Sequence, residues 1–422
     1  MNERTMLLDI HERPKKVGQW LILSFQHVFA MFGATVLVPI LTGLDVGVAL
    51  VTSGLGTLVY IALTKGKVPV YLGSSFAYIT TISAAIASTG GMSSAFVGLM
   101  IVGLIYVIVA IIIYFVGSGW LTKLLPPVVV GPMIIIIGMS LAPVAIGYSG
   151  LTGGQSWEGP VIAFVTFLTV VLLAIRAKGF LKVIPFIIGI FVGYIFSVIL
   201  GVIDLKTVFA NVPFFSAPDF HFIGTYKLNF SQILVFAPLA FVTIAEHIGD
   251  HVVLGEITNR DFIKDPGIHR TLLGDGIATL LAGAIGGPAN TTYGENTGVV
   301  GVTKVASVYV IGLAAIIAIL LGFLGYIQAF IMSIPEPVIG GMTIILYGFI
   351  ATNGVKVLIK DRTDLSEMKN LIVVSAMLVI GLGGASIQIT GDTSLQGMAL
   401  AVIVGIVLNQ FLNLIQTEKS KA

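Results

Sequence analysis

Four acidic residues stand where acids are expensive. Glu246, Asp250, Asp275 and Glu295 interrupt otherwise apolar stretches, and Glu336 lies between two prolines at the edge of another; the remaining fifteen of the 20 acids fall in loops, tails or the ends of apolar runs. A carboxylate at the centre of a bilayer costs roughly 2.5–3.5 kcal/mol even on the most lenient insertion scale, so each one asks for a role. Glu246 and Asp250 are four apart and share one helix face. Glu295 sits in the polar run Gly287-Pro-Ala-Asn-Thr-Thr-Tyr-Gly-Glu-Asn-Thr-Gly298. No lysine or arginine lies deep enough to pair with these acids, and Lys304 is the nearest candidate, at the edge of an apolar run. An acid without a cationic partner in low dielectric is suited to bind and release a proton, or to be neutralised by a bound cation. When ionised it only accepts hydrogen bonds, so it suits a neutral ligand bearing N–H groups. Backbone N–H groups nearby would serve that ligand's carbonyls, which points to a planar ring with alternating N–H and C=O. The alternative is an acid that caps a broken helix or stays neutral and hydrogen-bonded, and it weighs more for Asp250 and Asp275 than for the two glutamates.

The elements that position these acids follow from composition. Charged residues make up 10% of the 422 positions and apolar ones 56%, where a soluble domain has about 25% charged. The apolar residues come in long runs; Leu99–Phe115 carries no charge at all. About 20 apolar residues cross the hydrocarbon core as a helix. Spans fall near 19–42, 46–64, 68–87, 93–116, 126–147, 158–175, 183–203, 231–255, 271–287, 289–303, 305–325, 328–352, 370–390 and 395–416. The chain is read as an all-α polytopic membrane protein of fourteen transmembrane segments. Placing the N-terminus in the cytoplasm puts 20 of the 22 basic residues on the inner side, from Arg4 and Arg13 to Lys419 and Lys421; only Lys206 and Lys227 fall outside. A missed span would invert every later loop and spoil that split, so the parse satisfies the positive-inside rule.

The second half echoes the first. Gln26-His27 returns as Glu246-His247, Gly54-Leu-Gly56 as Gly274-Asp-Gly276, and Pro69 as Pro288. Pro126, Val129, Gly131, Met133 and Ile135 return as Pro335, Val338, Gly340, Met342 and Ile344. This divides the chain into a first unit, 1–205, and a second, 230–422. Seven spans per unit is odd, so the second enters the membrane inverted, a recurring plan of secondary transporters with the site where the repeats meet. Spans 3 and 10 are poor helices. The third begins Val68-Pro-Val-Tyr-Leu-Gly-Ser-Ser-Phe-Ala-Tyr-Ile79, and the tenth is the polar run around Glu295. Backbone freed there cannot face lipid and must line a cavity or be covered by protein. Interrupted segments at matching places in two halves point to the transport site.

Four stretches carry a resemblance. Gln26-His-Val-Phe-Ala-Met-Phe-Gly-Ala-Thr-Val-Leu-Val-Pro39, Gly73-Ser-Ser-Phe-Ala77, Ala245-Glu-His-Ile-Gly-Asp250 and Asn290–Gly298 resemble the nucleobase–cation symporter-2 (nucleobase/ascorbate transporter) family, from about residue 17 to 417. Glu295-Asn296-x-Gly298 followed by Thr303-Lys304 looks like its signature, with the glutamate of uracil-type members. The resemblance implies a 7+7 inverted repeat, with short antiparallel strands in the two broken segments. It also implies a core domain, 17–116 plus 231–325, and a gate domain, 117–203 plus 326–418. The activity implied is alternating-access import of uracil or a related base by proton symport, with xanthine or sodium coupling as variants. The base would be held by Glu246 and Glu295, the backbone amides of Phe76 and Gly294, Ser75, Tyr293 and Tyr347. Asp250, Glu246 and His247 would serve proton coupling, although Asp250 stands where some uracil permeases carry histidine. His27, Gln26 and Asn296 would support the site. A homodimer and membrane lipid are the implied partners.

Other classes fit less well. His247 and His251 could ligate zinc as in an intramembrane protease, but that motif needs a glutamate where Ile248 stands, and no third ligand is evident. A fixed channel would not need paired acids in a closed site. The absence of cysteine excludes disulfides, iron–sulfur clusters and thiolate metal sites. No cofactor, metal, enzymatic activity or nucleic-acid partner is expected. The polar first 18 residues lack an apolar signal-peptide core, and the expected place is the bacterial cytoplasmic membrane with both termini inside.

Overall fold

A computed structural model of the chain describes residues 6–153, 156–227, 232–390 and 393–419. Arg4 and Lys421, both used in the charge count, lie outside them. Among the described residues the helices α1 (Val17–Thr42), α2 (Val46–Leu63), α3 (Ile79–Ala87), α4 (Gly91–Val116), α5 (Pro127–Tyr148, with a break at Leu141), α6 (Glu158–Arg176) and α7 (Pro185–Ile199) form the first half. The second half holds α8 (Gln232–Thr258), α9 (Ile268–Ala284), α10 (Gly294–Thr303), α11 (Val308–Gly322), α12 (Glu336–Lys360), α13 (Met368–Leu382) and α14 (Gly397–Lys419). Strand β1 (Leu72–Ser74) precedes α3, β2 (Asn290–Thr292) precedes α10, and the hairpin β3 (Ser386–Thr390) and β4 (Thr393–Gln396) joins α13 to α14. Among the described residues, eight helices are long and apolar enough to cross a bilayer by themselves. The chain is a multi-pass membrane protein.

Inversion of the second half is visible in the packing. Where α2 packs on α11, α9 packs on α4; where α1 packs on α11, α8 packs on α4. The same exchange relates α6–α12 to α13–α5, α6–α7 to α13–α14, and α7–α12 to α14–α5. Adding seven to each helix number converts one set into the other. The pairs α2–α9 and α5–α12 map onto themselves and mark the pseudo-twofold axis.

Local chemistry sets the element ends. Gly43 terminates α1 at φ 75°, in the left-handed region, and sends its N–H to the Pro39 carbonyl. Asp45 then caps α2 by accepting from the Val48 N–H at 2.7 Å.

Two expectations are corrected. The twelfth span does not begin at 328: Gly325–Met332 is a separate helix, and α12 starts at Glu336 after Pro335. A residue before proline is pushed out of the helical region, which breaks the apolar run there. The thirteenth span ends at Leu382 rather than 390, because Ser386-Ile-Gln-Ile-Thr alternates with a period of two and pairs as β3 with β4. The N-terminal tail pairs with the segment that follows α10. Leu7 donates to the Lys304 carbonyl at 2.6 Å, Ala306 to Leu8 and Val308 to Ile10, and Ile10 is buried beside Tyr60, Leu254 and Phe262.

Candidate functional site

The two broken segments meet. β1 and β2 pair antiparallel, Leu72 opposite Thr292, Gly73 opposite Thr291 and Ser74 opposite Asn290. Ser75 N–H to Ala289 O at 2.9 Å and Tyr293 N–H to Tyr71 O at 3.1 Å extend the ladder at both ends. Two strands alone leave outer backbone groups unpaired, at a cost of several kcal/mol each in apolar surroundings. Hydroxyls from flanking helices satisfy them. Ser53 Oγ and Thr57 Oγ1 of α2 donate to Leu72 O, and Thr57 Oγ1 accepts from Leu72 N–H. On the other edge, Thr279 Oγ1 of α9 donates to Asn290 O and accepts from Asn290 N–H. Gly73 has no alternative at its position, because a Cβ there would lie 2.3 Å from the Tyr293 ring.

Each strand runs straight into a helical turn. Phe76 begins the turn that leads into α3, and Gly294 is the first residue of α10. The N–H groups of a helix's first turn have no intrahelical acceptor, so each start offers donors and the positive end of a helix dipole. The Ser75 Oγ nearby is buried without a hydrogen-bond partner.

Carboxylates gather beside these starts. Glu246 and Asp250 of α8, Glu295 of α10 and Asp275 of α9 lie close enough for their charges to interact. Glu246, Asp250 and Glu295 are half-buried, whereas Asp275 is fully enclosed. Asp250 Oδ2 accepts from Thr292 Oγ1 at 2.5 Å, which ties α8 to β2. Glu295 faces a narrow crevice lined by Phe29, Ala30 and Gly33 of α1, Val183, Ile184, Phe186 and Ile187 around the start of α7, and Met342 and Leu346 of α12. Tyr347 of α12 meets Phe76 edge-on at 6.5 Å, and its buried hydroxyl has no partner. Together these groups offer two or three acceptors, two backbone donors and an aromatic wall.

Other sequence-derived residues serve the frame. Tyr293 is buried, its hydroxyl donating to Ser74 O at 2.9 Å and accepting from Thr35 at 3.2 Å, so only its ring remains for a ligand. Asn296 Nδ2 donates to His27 O at 3.0 Å and approaches His27 Nδ1 at 3.2 Å, fastening α10 to α1. Gln26 carries a buried, unpartnered Oε1. His247 points away from Glu246 into the core. Its Nδ1 lies 2.9 Å from Asp275 Oδ2, with both side chains fully buried. Asp275 therefore does have a basic partner, a histidine rather than a lysine or arginine. A histidine one residue past Glu246, and an acid between two glycines of a neighbouring span, were the available signals.

Comparison with known proteins agrees with this architecture. A model of a permease family matches residues 18–390. The chain is 48% identical to the uracil permease of Bacillus caldolyticus, covering 96% of this chain and 94% of that one. It is 45% identical to that of Bacillus subtilis (98% and 96% covered) and 42% to that of Escherichia coli (97% and 94%). This chain belongs to the nucleobase–cation symporter-2 family of permeases. Its fold recurs in solved structures of low identity. The transmembrane domain of the cyanobacterial bicarbonate transporter BicA matches with a TM-score of 0.60 at 15% identity, covering 94% of this permease and 98% of that chain. The murine anion transporter Slc26a9 in its inward-facing state gives 0.69 at 11%, covering 96% and 70%. At such identities the likeness carries the fold alone.

Proposed function

We propose that this permease imports uracil, or a closely related nucleobase, across a bacterial cytoplasmic membrane by proton symport with alternating access. The observation that carries the reading is the pairing of Glu246 and Glu295 with two helix starts from opposite repeats. Uracil presents two ring N–H groups and two carbonyls; two carboxylates and two backbone N–H groups complement them. The names of the relatives agree with that inventory. In this reading Glu246 and Glu295 accept from the ring N–H groups, and the amides of Phe76 and Gly294 donate to its carbonyls. Ser75, Tyr347 and the Tyr293 ring complete the wall. Gln26, His27 and Asn296 hold α1 against α10.

Asp250, Glu246 and His247 form the proton-coupling group, since protonation of an acid cluster relieves repulsion between like charges. Helices α1–α4 and α8–α11 form the core that carries the site, and α5–α7 with α12–α14 form the gate against which it rocks. Tyr347 lies on the gate, so substrate touches both bodies. Both termini face the cytoplasm, lipid surrounds the bundle, two copies associate as a homodimer, and the chain transports without catalysing a reaction. The test is binding of labelled uracil to purified Glu246→Ala and Glu295→Ala variants. A lost hydrogen bond to a charged group costs about 1.5–3 kcal/mol, so affinity is expected to fall at least about tenfold in each. Near-normal affinity in either variant would remove that residue from the site.

A further inference from the structure

Helix α8 has two chemically loaded faces, and the proposed transport site uses one of them. Glu246 and Asp250 occupy the site face. His247 and His251, also four apart, occupy the face turned into the core, where they are 0% and 1% exposed, and Asp275 opposite them is 0% exposed. The imidazoles lie with centroids 4.1 Å apart and ring planes tilted by 30°. His251 Nδ1 lies 2.6 Å from the His247 backbone carbonyl, which only accepts, so Nδ1 carries the hydrogen and donates. His251 Nε2 then accepts from the Tyr60 hydroxyl. At the inner end of the pair, His247 Nδ1 meets Asp275 Oδ2, while His247 Nε2 and Asp275 Oδ1 are buried without hydrogen-bond partners. A buried polar atom left unpaired is destabilising, so two in one contact need a reason. At the outer end, His251 borders a pocket of about 440 Å³ lined also by Glu256, Asn259, Arg260 and Asp261, on the face that carries the basic loops.

We propose that Asp275 and His247 store the co-transported proton behind the substrate site, and that it leaves past His251 by a route the substrate does not use. This rests on the proton-symport reading and deepens it. In the empty pair, the Asp275 carboxylate accepts from His247 Nδ1–H and His247 Nε2 is bare. Loading forms an Nε2–H bond, so the pair goes from one net negative charge to none. Unloading breaks that bond and forms one at His251 Nε2, as the Tyr60 hydroxyl turns aside. Water in the pocket then takes the proton as hydronium, and His251 returns to its neutral form. The titratable groups around the pair are Tyr60 of α2, Tyr78 ahead of α3, Tyr106 of α4, and Glu246 and Asp250 on α8 itself. Glu256, Arg260 and Asp261 stand at the mouth. These groups set the field in which the proton moves between Asp275 and the pocket.

Two measurements on the full chain separate this from the uracil reading. Infrared difference spectra of purified protein, stepped in pH without substrate, are expected to show a buried imidazole–carboxyl signal. Asp275→Asn should remove it, and His251→Gln should preserve it while slowing its appearance at least tenfold. Identical spectra in wild type and Asp275→Asn would overturn the store. In proteoliposomes, both variants should keep uracil exchange within about twofold and lose at least tenfold in gradient-driven accumulation. Full accumulation in His251→Gln would overturn the exit route. Loss of exchange together with accumulation would assign these residues to the scaffold and overturn the proposal as well. A wild type that shows the infrared signal yet exchanges no uracil would refute the substrate and leave the proton store standing.

Discussion

Residues about 220 positions apart occupy matching places in the two repeats. Thr57 and Thr279 do the same work, each bracing the outer edge of one central strand by donating to a carbonyl and accepting from the N–H of the same residue. Pro126 and Pro335 each cap the start of a helix, α5 and α12. His27 and His247 both reach across to another helix, but His27 meets the neutral Asn296 and His247 meets Asp275. Then the halves diverge. Gln26 and Ala30 stand where the second repeat has Glu246 and Asp250, and Ser53, four before Thr57 as Asp275 is four before Thr279, stands where it has Asp275. Duplication has kept backbone pairing and helix packing symmetrical while the acids sit on one side of the axis. A scaffold can be symmetrical because hydrogen-bond satisfaction is needed at every strand edge. A single ligand bound near the axis needs its acceptors only once.

The largest effect expected from that division is on binding. Glu246→Gln gives the second repeat the first repeat's residue and should cut uracil affinity at least about tenfold, because an ionised acceptor is replaced by a neutral one. Gln26→Ala, the matching change in the first repeat, should stay within about threefold. Equal losses, read by binding of labelled uracil, would break the asymmetry.

Next in size is the coupling effect. Asp250→Asn should preserve binding and exchange in proteoliposomes but abolish accumulation driven by an inward proton gradient. A protonophore should collapse wild-type accumulation whether or not sodium is present. Normal gradient-driven accumulation in the variant would take Asp250 out of the coupling group, and a strict sodium requirement would end the proton reading.

Much of this division is legible in the sequence, and the parts that are not share a cause. Long apolar runs and basic loops gave the span order, since burial in lipid constrains every residue of a run. The breaks at Pro69 and Pro288 marked where strands replace helix, because proline and small polar residues cannot sustain a helix there. What stayed hidden depended on partners distant in the chain. Asp275 acquires its histidine only when α9 lies against α8, 28 residues back. The N-terminal tail is polar enough to look free, yet it is stitched to the segment that follows α10. The start of α12 was legible after all: Pro126 caps the matching helix α5, so the repeat itself indicated Pro335 over the apolar run that precedes it. Period-two alternation in Ser386–Thr390 was likewise available but outweighed by hydropathy.

If the scaffold is symmetrical, damage to it should be too. A Cβ at Gly54 of α2 would lie 2.4 Å from the Ala315 carbonyl of α11. A Cβ at Gly276 of α9 would lie 2.6 Å from Tyr106 Cβ and 3.0 Å from the Gly103 carbonyl of α4. Both neighbours include backbone, which cannot swing aside as a side-chain tip does. Gly54→Ala and Gly276→Ala should each destabilise by about 1–3 kcal/mol, the usual cost of forcing volume into a packed contact. Thermal unfolding in detergent, with and without lipid, compares them. A loss confined to one repeat would show that the two packings are not equivalent.

The smallest effect concerns a feature with no counterpart in the first repeat. Lys360 Nζ of α12 lies 2.7 Å from Glu256 Oε1 of α8, and among the described residues it is the ion pair that joins these two helices. The corresponding positions in the first repeat, Val36 and Leu151, cannot form one. The pair looks like a latch between the proposed core and gate, but both side chains are well exposed, at 66% and 59%. Exposed pairs contribute about 0–1 kcal/mol, since water and salt screen the attraction and two long side chains lose freedom. Lys360→Gln should therefore change the transport rate by less than about fivefold, with a difference that shrinks further as salt is raised. The glutamine keeps a donor for Glu256, so packing is preserved and only charge is tested. A rate change of a hundredfold would mean that the pair is shielded from solvent during the transport cycle. The second repeat's asymmetry would then extend from its binding chemistry to the closure of the gate.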